Sequence, residues 1–392
     1  MPNLSQLFDK SVDISDADFL KKIPAKQGVL LIADEKQNCI QMITAANMRS
    51  RINNRLTETC DQADSQEESV NTNKISRRAD IRKIARLVFY HQTTSAFETE
   101  LFYISTAYKL WANSFKQHLD LKQIWFVTID ISAKFPHFYK TKNFDPSLPA
   151  IGPFSSASTA DKFIDALADS FDLCRSISCL RQAPNGTKCS YAQMNRCLSP
   201  SDGSISMDDY RLVLGRALDF ASGNRKPLHI SLTEKMKSLA ADLDFEQAAI
   251  FKARLDRLKD FDLPAFEFAV PVNEFRYLLI QPGVGKRQCK AFAVRDFDIQ
   301  FIGAFDFPDA EIGDKICKQA ALFFQHDKKS HIPNQLELIN ISLVNKYLRI
   351  SKANKGLIVK YNSELTSEKL AKLINENRSL LKLSEVVKSA KK

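Results

Sequence analysis

Two short apolar runs near the beginning of the chain predict a β-hairpin. Residues 28–33 and 39–44 are mostly apolar, and the stretch between them is polar, as in a turn. The next apolar positions, Met48, Ile52 and Leu56, recur at every fourth residue. This spacing places them on one face of a helix, so we expect a helix to follow the hairpin.

The patterns after this hairpin alternate between helix and strand. Residues 58–76 have almost no apolar content and predict a surface loop. Helical periodicity is found over residues 98–118, 158–171, 208–221, 310–325 and 366–385, and strand-like content over residues 124–132, 266–281 and 288–305. This order predicts an α/β fold, with a small α/β domain at the beginning of the chain and an α+β domain at its end.

A pair of helices is predicted over residues 232–258. Leu232, Met236, Leu239 and Leu243 recur with helical spacing, and a second helix continues after a short break. A hairpin of this length has little core of its own, so its apolar stripe needs a partner. That partner is either another protein or the rest of this chain, and the pattern leaves both interpretations open.

Length and charge narrow the class of protein. The chain has 392 residues, of which 44% are apolar and 26% charged, a composition typical of a globular protein with two or three domains. Its net charge of +10 favours a polyanionic partner such as nucleic acid. The candidate phosphate contacts are Arg49, Arg51, Arg77, Arg78, Arg82, Lys83 and Arg86. The alternative for the basic run is a solvated helix face.

Two further observations concern compartment and chemistry. No apolar stretch is long enough to cross a membrane, and the N-terminus does not resemble a signal peptide, so we expect a cytoplasmic protein without membrane contact. Eight cysteines are too few for a disulfide framework. In a reducing compartment, clustered cysteines indicate a metal or cluster site. Four of the cysteines lie within one short segment: Cys174, Cys179, Cys189 and Cys197.

Four motifs follow one another between residues 20 and 260. They are Gly28-Val29 with the segment from Asn47 to Arg51, the segment from Pro149 to Phe154, the segment from Arg196 to Pro200, and the sequence Leu-Asp-Phe-Glu-Gln-Ala-Ala at residues 243–249. In their order and spacing they resemble the UvrC/Cho family of bacterial excinucleases, which incise damaged DNA in nucleotide excision repair.

The resemblance implies four parts in the chain. Residues 1–145, with the loop 58–76, would form a degenerate GIY-YIG nuclease-like domain, and residues 146–225 a Cys-containing helical segment that links the domains. Residues 228–262 would form a UVR helical hairpin. Residues 264–392 would form an α+β domain of unknown role, without a clear match to the second nuclease domain of full-length UvrC.

The family's nuclease site uses two tyrosines, an arginine and a metal-binding glutamate. Here the tyrosine positions are Leu30 and Gln41, and the glutamate position falls near Ser105. Arg51 matches the motif arginine. An arginine without a metal carboxylate does not complete this mechanism, so we expect Arg51 to bind a DNA phosphate or to cap a surface. A divalent metal is expected only if nuclease activity persists.

The resemblance also implies a role for the cysteine segment. Cys179, Cys189 and Cys197 match three positions of a set of four thiolates that resembles an iron–sulfur ligand set, whereas the fourth position is Ser201. Cys174 is the candidate replacement. An iron–sulfur cluster, a zinc ion and a cluster-free remnant all stay open.

For the predicted hairpin, the resemblance implies binding to the homologous hairpin of a UvrB-like protein. The residues expected at this contact are Met236, Phe245, Glu246 and Ala249. A helical hairpin packed only against its own chain is the alternative.

Three functions follow from these observations. The first is a nuclease-deficient family member that binds DNA and a UvrB-like partner. The second is an active Cho-like endonuclease with a rearranged site, which requires Glu98 or Glu100 to lie suitably near Arg51. The third is a protein-association scaffold that does not bind DNA.

Overall fold

The computed structural model describes residues 3–57, 81–325, 331–351 and 355–384. It confirms the predicted α/β class, because helices pack on three four-stranded sheets whose strands pair antiparallel. The predicted loop 58–76, the basic residues Arg77 and Arg78, and the end of the chain from residue 385 lie outside the described residues.

The first sheet contains the predicted hairpin. Its strands are β1 (Lys10–Asp13), β2 (Gly28–Ala33), β3 (Cys39–Ala45) and β4 (Leu87–Gln92), in the order β1-β4-β2-β3. Its helices are α1 (Leu4–Leu7), α2 (Phe19–Lys22), α3 (Met48–Thr57) and α4 (Ala96–Leu110). Met48 and Ile52 of α3 are fully buried with β2, as their spacing predicts. Gly28 allows this approach, because an added Cβ would lie 2.6 Å from the Met48 sulfur.

The second sheet belongs to the middle of the chain. Its strands are β5 (Trp125–Thr128), β6 (Tyr139–Thr141), β7 (Ala150–Phe154) and β8 (Val270–Pro271), in the order β6-β5-β7-β8. The helices beside it are α5 (Ala157–Phe171), α6 (Ile177–Leu180), α7 (Ser190–Gln193) and α8 (Met207–Ala221). Phe163, Tyr210 and Phe220 form the buried centre of this core.

The predicted pair of helices is also present. It consists of α9 (Lys226–Ala241) and α10 (Phe245–Leu258). Leu232 and Leu258 are buried in the core of the middle region, so one end of the hairpin is anchored on its own chain.

The third sheet lies at the end of the chain. Its strands are β9 (Arg276–Pro282), β10 (Gln288–Arg295), β11 (Asp298–Asp306) and β12 (Leu357–Lys360), in the order β11-β10-β9-β12, with helices α11 (Ile312–Gln325), α12 (Gln335–Arg349) and α13 (Ser367–Glu376). The prediction of one strand over residues 288–305 was wrong, because the chain turns at Asp296, whose φ is +53°. The prediction of a strand over residues 266–281 was also wrong in its first half, where two 3₁₀ turns flank the two-residue strand β8.

One hydrophobic core joins the first and third sheets. Helix α4 lies between them, and its Phe97 is fully buried. The Phe97 ring makes edge contacts with Phe292 of β10 and Tyr347 of α12, at centroid distances of 5.3 and 5.2 Å. The last part of the chain therefore covers the outer face of α4.

Candidate functional site

A cleft of about 420 Å³ opens beside β3 at the edge of the first sheet. Its walls include Arg51 of α3, Glu100 and Tyr103 of α4, His118, and Lys346 of α12. Arg51 is exposed, and its guanidinium makes no hydrogen bond or ion pair with the residues that the structure describes. The cleft thus unites the one matched catalytic residue with side chains from the far end of the sequence.

The two tyrosine positions of the family motif do not supply hydroxyl groups to this cleft. Leu30 is fully buried in β2, opposite Ile43 of β3. Gln41 accepts a hydrogen bond of 2.8 Å from Nε of Arg55. Leu30 therefore packs in the first sheet, and Gln41 connects that sheet to helix α3.

A tyrosine from another element does line the cleft. The Tyr103 hydroxyl donates to the backbone carbonyl of His118 at 3.2 Å and lies 3.5 Å from the carbonyl of Met42. Burial raises the pKa of Tyr103, so this phenol keeps its proton at neutral pH.

Both glutamates of α4 are held by lysines of the third sheet region. Glu98 receives hydrogen bonds of 2.8 Å from the backbone N–H and the hydroxyl of Thr94, and an ion pair of 2.5 Å from Lys290. Glu100 receives an ion pair of 2.7 Å from Lys346 and a hydrogen bond of 3.0 Å from the Tyr347 hydroxyl. Burial and the Glu100 charge raise the pKa of Tyr347, which keeps this donor protonated.

The residue at the glutamate position of the family motif has no carboxylate to bind a divalent metal. Ser105 donates its hydroxyl to the backbone carbonyl of Phe102 at 2.9 Å. Within the described ranges, no group of three or more histidine, cysteine, aspartate or glutamate side chains is placed to hold a metal ion. We therefore derive no catalytic step through a metal at this cleft.

The other predicted phosphate contacts have different surroundings. Arg49 donates to the carbonyls of Ile23 and Lys21 at 2.8 and 3.2 Å, which ties α3 to α2. Arg86 forms an ion pair of 3.2 Å with Asp13 at the end of β1. Arg82 and Lys83 are exposed in the turn before β4. Of the described members of this set, Arg51 is the one that lines the cleft.

The four cysteines of the middle region come from successive short elements. Cys174 follows α5, Cys179 lies in α6, Cys189 is the N-cap of α7, and Cys197 is buried just before a 3₁₀ turn. The Cys174 N–H donates to the Tyr210 hydroxyl at 3.0 Å, which fixes the start of the segment on α8.

The thiols of this segment interact with one another. A hydrogen bond from Cys197 lowers the pKa of Cys174, although burial opposes the effect. The same hydrogen bond, together with burial, raises the pKa of Cys197, which also interacts with Cys189. The thiols of this segment therefore influence one another's pKa, and Cys174 carries the more acidic thiol of the two.

Ser201 occupies the position of the missing fourth cysteine. It is almost fully buried, and its hydroxyl donates to the carbonyl of Thr187 at 3.1 Å. This bond holds the loop before Cys189 in place, so the serine has a structural role here.

The tip of the helical hairpin presents apolar side chains to solvent. Leu243 and Phe245 are 73% and 64% exposed. Leu243 lies in the tight turn with a φ of +62°, and Asp244 caps α10 by accepting a bond from the Gln247 N–H at 3.1 Å. The sharp turn and the cap hold Phe245 at the start of α10.

The other predicted contact residues lie on the two helices behind this tip. Glu246 and Ala249 are exposed on α10, and Met236 is half-buried on α9. Ile250, one turn further along α10, is 44% exposed. The hairpin therefore exposes apolar side chains at its tip and along α10.

An ion pair fixes the opposite end of the hairpin. Arg254 of α10 binds Asp172, whose side chain is 8% exposed at the end of α5. Burial raises the pKa of Asp172, and the Arg254 charge opposes this shift. The hairpin is thus held at its base and exposed at its tip.

Comparisons with known proteins assign two parts of the chain. Residues 124–220 match the family model of the UvrC/Cho excinuclease middle domain, and residues 228–261 match that of the UvrB/UvrC motif. The resemblance to the UvrC/Cho family is confirmed. The UvrC/Cho middle domain accordingly extends from β5 to α8 and includes all four clustered cysteines, and the UvrB/UvrC motif is the hairpin α9–α10.

Individual relatives carry the name UvrABC system protein C. The protein from Bartonella quintana is 28% identical over 243 residues, covering 62% of this chain and 34% of the relative. The protein from Acetivibrio thermocellus is 22% identical over 401 residues, covering 95% and 59%. The protein from Nautilia profundicola is 30% identical over 146 residues, covering 37% and 23%. The chain thus spans less than two thirds of each of these UvrC proteins. No solved structure matches it.

Sequence reasoning missed the residues that bind the two glutamates of α4. Lys290, Lys346 and Tyr347 lie 192, 246 and 247 positions from their α4 partners, and no motif connects them. The UvrC/Cho resemblance offered no signal for them either, because it ended before the third sheet.

None of the helices in the described part has the length and apolar character that crossing a bilayer requires.

Proposed function

We propose that this chain is a UvrC/Cho-like protein of nucleotide excision repair that binds DNA and a UvrB-like partner and does not cleave DNA at its GIY-YIG-like domain. The observation that carries this proposal is the chemistry of the motif positions. Leu30 is a core side chain, and Gln41 is engaged with Arg55. Neither side chain can act as the tyrosine that the resemblance implies. The carboxylates of α4 already form ion pairs with lysines.

DNA binding is supported by Arg51 and by the overall charge. The net charge of +10 attracts a polyanion over several ångströms of solvent. A guanidinium such as that of Arg51, exposed in a cleft, is suited to bidentate contact with a phosphate. Contacts of this kind are independent of base sequence, so the affinity for DNA is expected to fall steeply with salt.

Partner binding is supported by the hairpin tip. Leu243 and Phe245 are exposed apolar side chains at the tip and Ile250 is a third on α10, and burial of such side chains is what drives two amphipathic hairpins together. The anchored base, through Arg254 and Asp172, presents these side chains in a fixed direction.

The cysteine segment is proposed as a metal-binding element. The occurrence of four cysteines between residues 174 and 197, whose thiols influence one another's pKa, supports this proposal, whereas the described residues contain no ready group of three ligands. Metal analysis of protein purified without oxygen distinguishes the two. About one zinc, or iron with thiolate absorbance, per chain would support a site, and metal-free protein of unchanged stability would reject it.

The rearranged nuclease is the competing function, because Tyr103 and Glu100 share the cleft with Arg51. The test is incision of a damaged duplex by the purified chain with a UvrB protein and Mg²⁺ or Mn²⁺, with an active UvrC as positive control. We expect binding without incision. Incision that disappears in both Arg51→Ala and Tyr103→Phe would establish the rearranged nuclease instead. Absence of any DNA binding at low salt would leave the scaffold function.

A further inference from the structure

The lysines that hold α4 come from a part of the chain to which no role is assigned. Lys290 of β10 and Glu98 form an ion pair whose side chains are both 16% exposed. Lys346 of α12 and Glu100 form a second pair at 2.7 Å, with exposures of 40% and 29%. The first pair is largely buried, and the second faces the cleft.

The two pairs lie on an extensive contact and are not isolated surface pairs. Phe97 of α4 packs between Phe292 and Tyr347, one residue before Glu98. These rings belong to the core that the first and third sheets share. Lys346 is therefore held at the cleft by a packed interface, which makes its position more defined than that of an ordinary surface lysine.

We propose that Arg51 and Lys346 together bind a DNA phosphate in this cleft without a metal ion. The inference rests on the proposed DNA-binding function and extends it to a site shared by both ends of the chain. A lysine ammonium has three N–H donors, and one of them is used by Glu100. The remaining donors can bind a phosphate oxygen while Arg51 binds another.

The charges in the cleft set the strength of this site. Arg51 and Lys346 are the cations of its lining, and Glu100 and Asp120 are the anions. The Glu100 charge is already offset by Lys346 and the Tyr347 hydroxyl. Asp120 is exposed and opposes an incoming phosphate. The site is therefore a weak anion site on its own, suited to one phosphate within a longer DNA contact.

This assignment gives residues 264–384 a function in DNA binding. The third sheet supplies Lys290, which neutralises Glu98 and fixes the start of α4, and helix α12 supplies Lys346. Lys290 is a positioning residue, because it does not line the cleft. Lys346 is expected to contact the phosphate directly.

The experiment measures binding of a short fluorescent DNA duplex to the full chain at several salt concentrations, in EDTA and in Mg²⁺ at matched ionic strength. The variants are Arg51→Gln, Lys346→Gln and Asp120→Asn. The control is Lys162→Gln, which removes an exposed lysine of α5 on another part of the molecule.

The wild-type chain should bind DNA in EDTA at least as tightly as in Mg²⁺, because no metal ion bridges the contact and Mg²⁺ competes for the phosphates. Arg51→Gln and Lys346→Gln should each weaken binding by about three- to tenfold and lower the salt slope by about one, as expected for one lost phosphate contact. Asp120→Asn should strengthen binding, and Lys162→Gln should change it by less than about twofold.

Lys346→Arg keeps the charge and should retain most of the affinity, and urea unfolding of Lys346→Gln separates loss of a phosphate contact from disruption of the interface. Binding that disappears in EDTA, or Lys346→Gln protein that is folded and binds like the wild type, would overturn the inference while DNA binding itself stands. A wild-type chain that does not bind DNA at low salt would instead overturn the proposed function.

Discussion

Truncation of Phe245 tests whether the hairpin tip is a partner-binding surface. The ring is 64% exposed and lies at the first position of α10, directly after the turn. Because so little of it is buried within the chain, Phe245→Ala should change the free energy of unfolding by no more than about 0.5 kcal/mol. Its effect should instead appear in the affinity for a UvrB-derived UVR hairpin.

The magnitude follows from the exposed area. A phenylalanine side chain has about 200 Å² of surface, so an exposed fraction of 64% leaves about 130 Å² to be covered by a partner. At about 25 cal/mol per Å², this burial contributes about 3 kcal/mol. The β-carbon of alanine retains part of it, so we expect a loss of about 2–3 kcal/mol, or about 30- to 150-fold in Kd.

The assay is titration calorimetry of the full chain with the purified UVR hairpin of a UvrB protein. Phe301→Ala is the matched control, because Phe301 is 50% exposed on β11, in another part of the molecule. The control should bind the hairpin like the wild type. Chemical denaturation of each variant establishes that both are folded.

Two results would refute this reasoning. If Phe245→Ala binds the hairpin with unchanged affinity, the exposed tip is not the contact. If Phe245→Ala unfolds the chain, the ring is part of a core and the hairpin packs only against its own protein.

The remaining predictions concern catalysis, the thiols and the first sheet. The purified chain with a UvrB protein should produce no incised strand on a denaturing gel with Mg²⁺ or Mn²⁺, because the motif hydroxyls are missing. Cys174 should react with iodoacetamide at lower pH than Cys197, because its lowered pKa gives it the larger thiolate fraction at a given pH. In Cys197→Ser, the pH at which Cys174 reacts should change, because Cys197 contributes to the lowered pKa. Equal pH profiles for the two cysteines, measured by mass spectrometry, would contradict the interaction between these thiols. Gly28→Ala should destabilise the fold by about 2–4 kcal/mol in urea unfolding, because the added Cβ collides with the His91 carbonyl; unchanged stability would show that β4 moves freely.

Local patterns in the sequence were sufficient to locate several helices. The period of the apolar residues located α3 and the α9–α10 pair, because a helix buries one face whatever surrounds it. The same reasoning failed between residues 288 and 305, where one apolar run contains two strands. The reversal at Asp296 uses a left-handed backbone that an aspartate adopts without any glycine signal.

The candidate site was predictable only where a residue stands within a motif. Arg51 and the four cysteines were found in this way, and Leu30 and Gln41 were found at the positions that the resemblance gives to tyrosines. The sequence did not indicate that Arg49 would bind backbone carbonyls while Arg51 would face a cleft. The two arginines lie two positions apart on α3, so helix geometry points them to roughly opposite sides, and what packs on each side sets their surroundings.

The sequence by itself determined most of the elements and the resemblance to the UvrC/Cho family, because these depend on side-chain chemistry and short-range periodicity. The tertiary structure decided what surrounds the carboxylates of α4. In the sequence Glu98 and Glu100 were candidate metal carboxylates, but packing of β10 and α12 on α4 brings Lys290 and Lys346 onto them. Contacts across 192 and 246 residues depend on how the whole chain buries its apolar faces, and no local pattern records them.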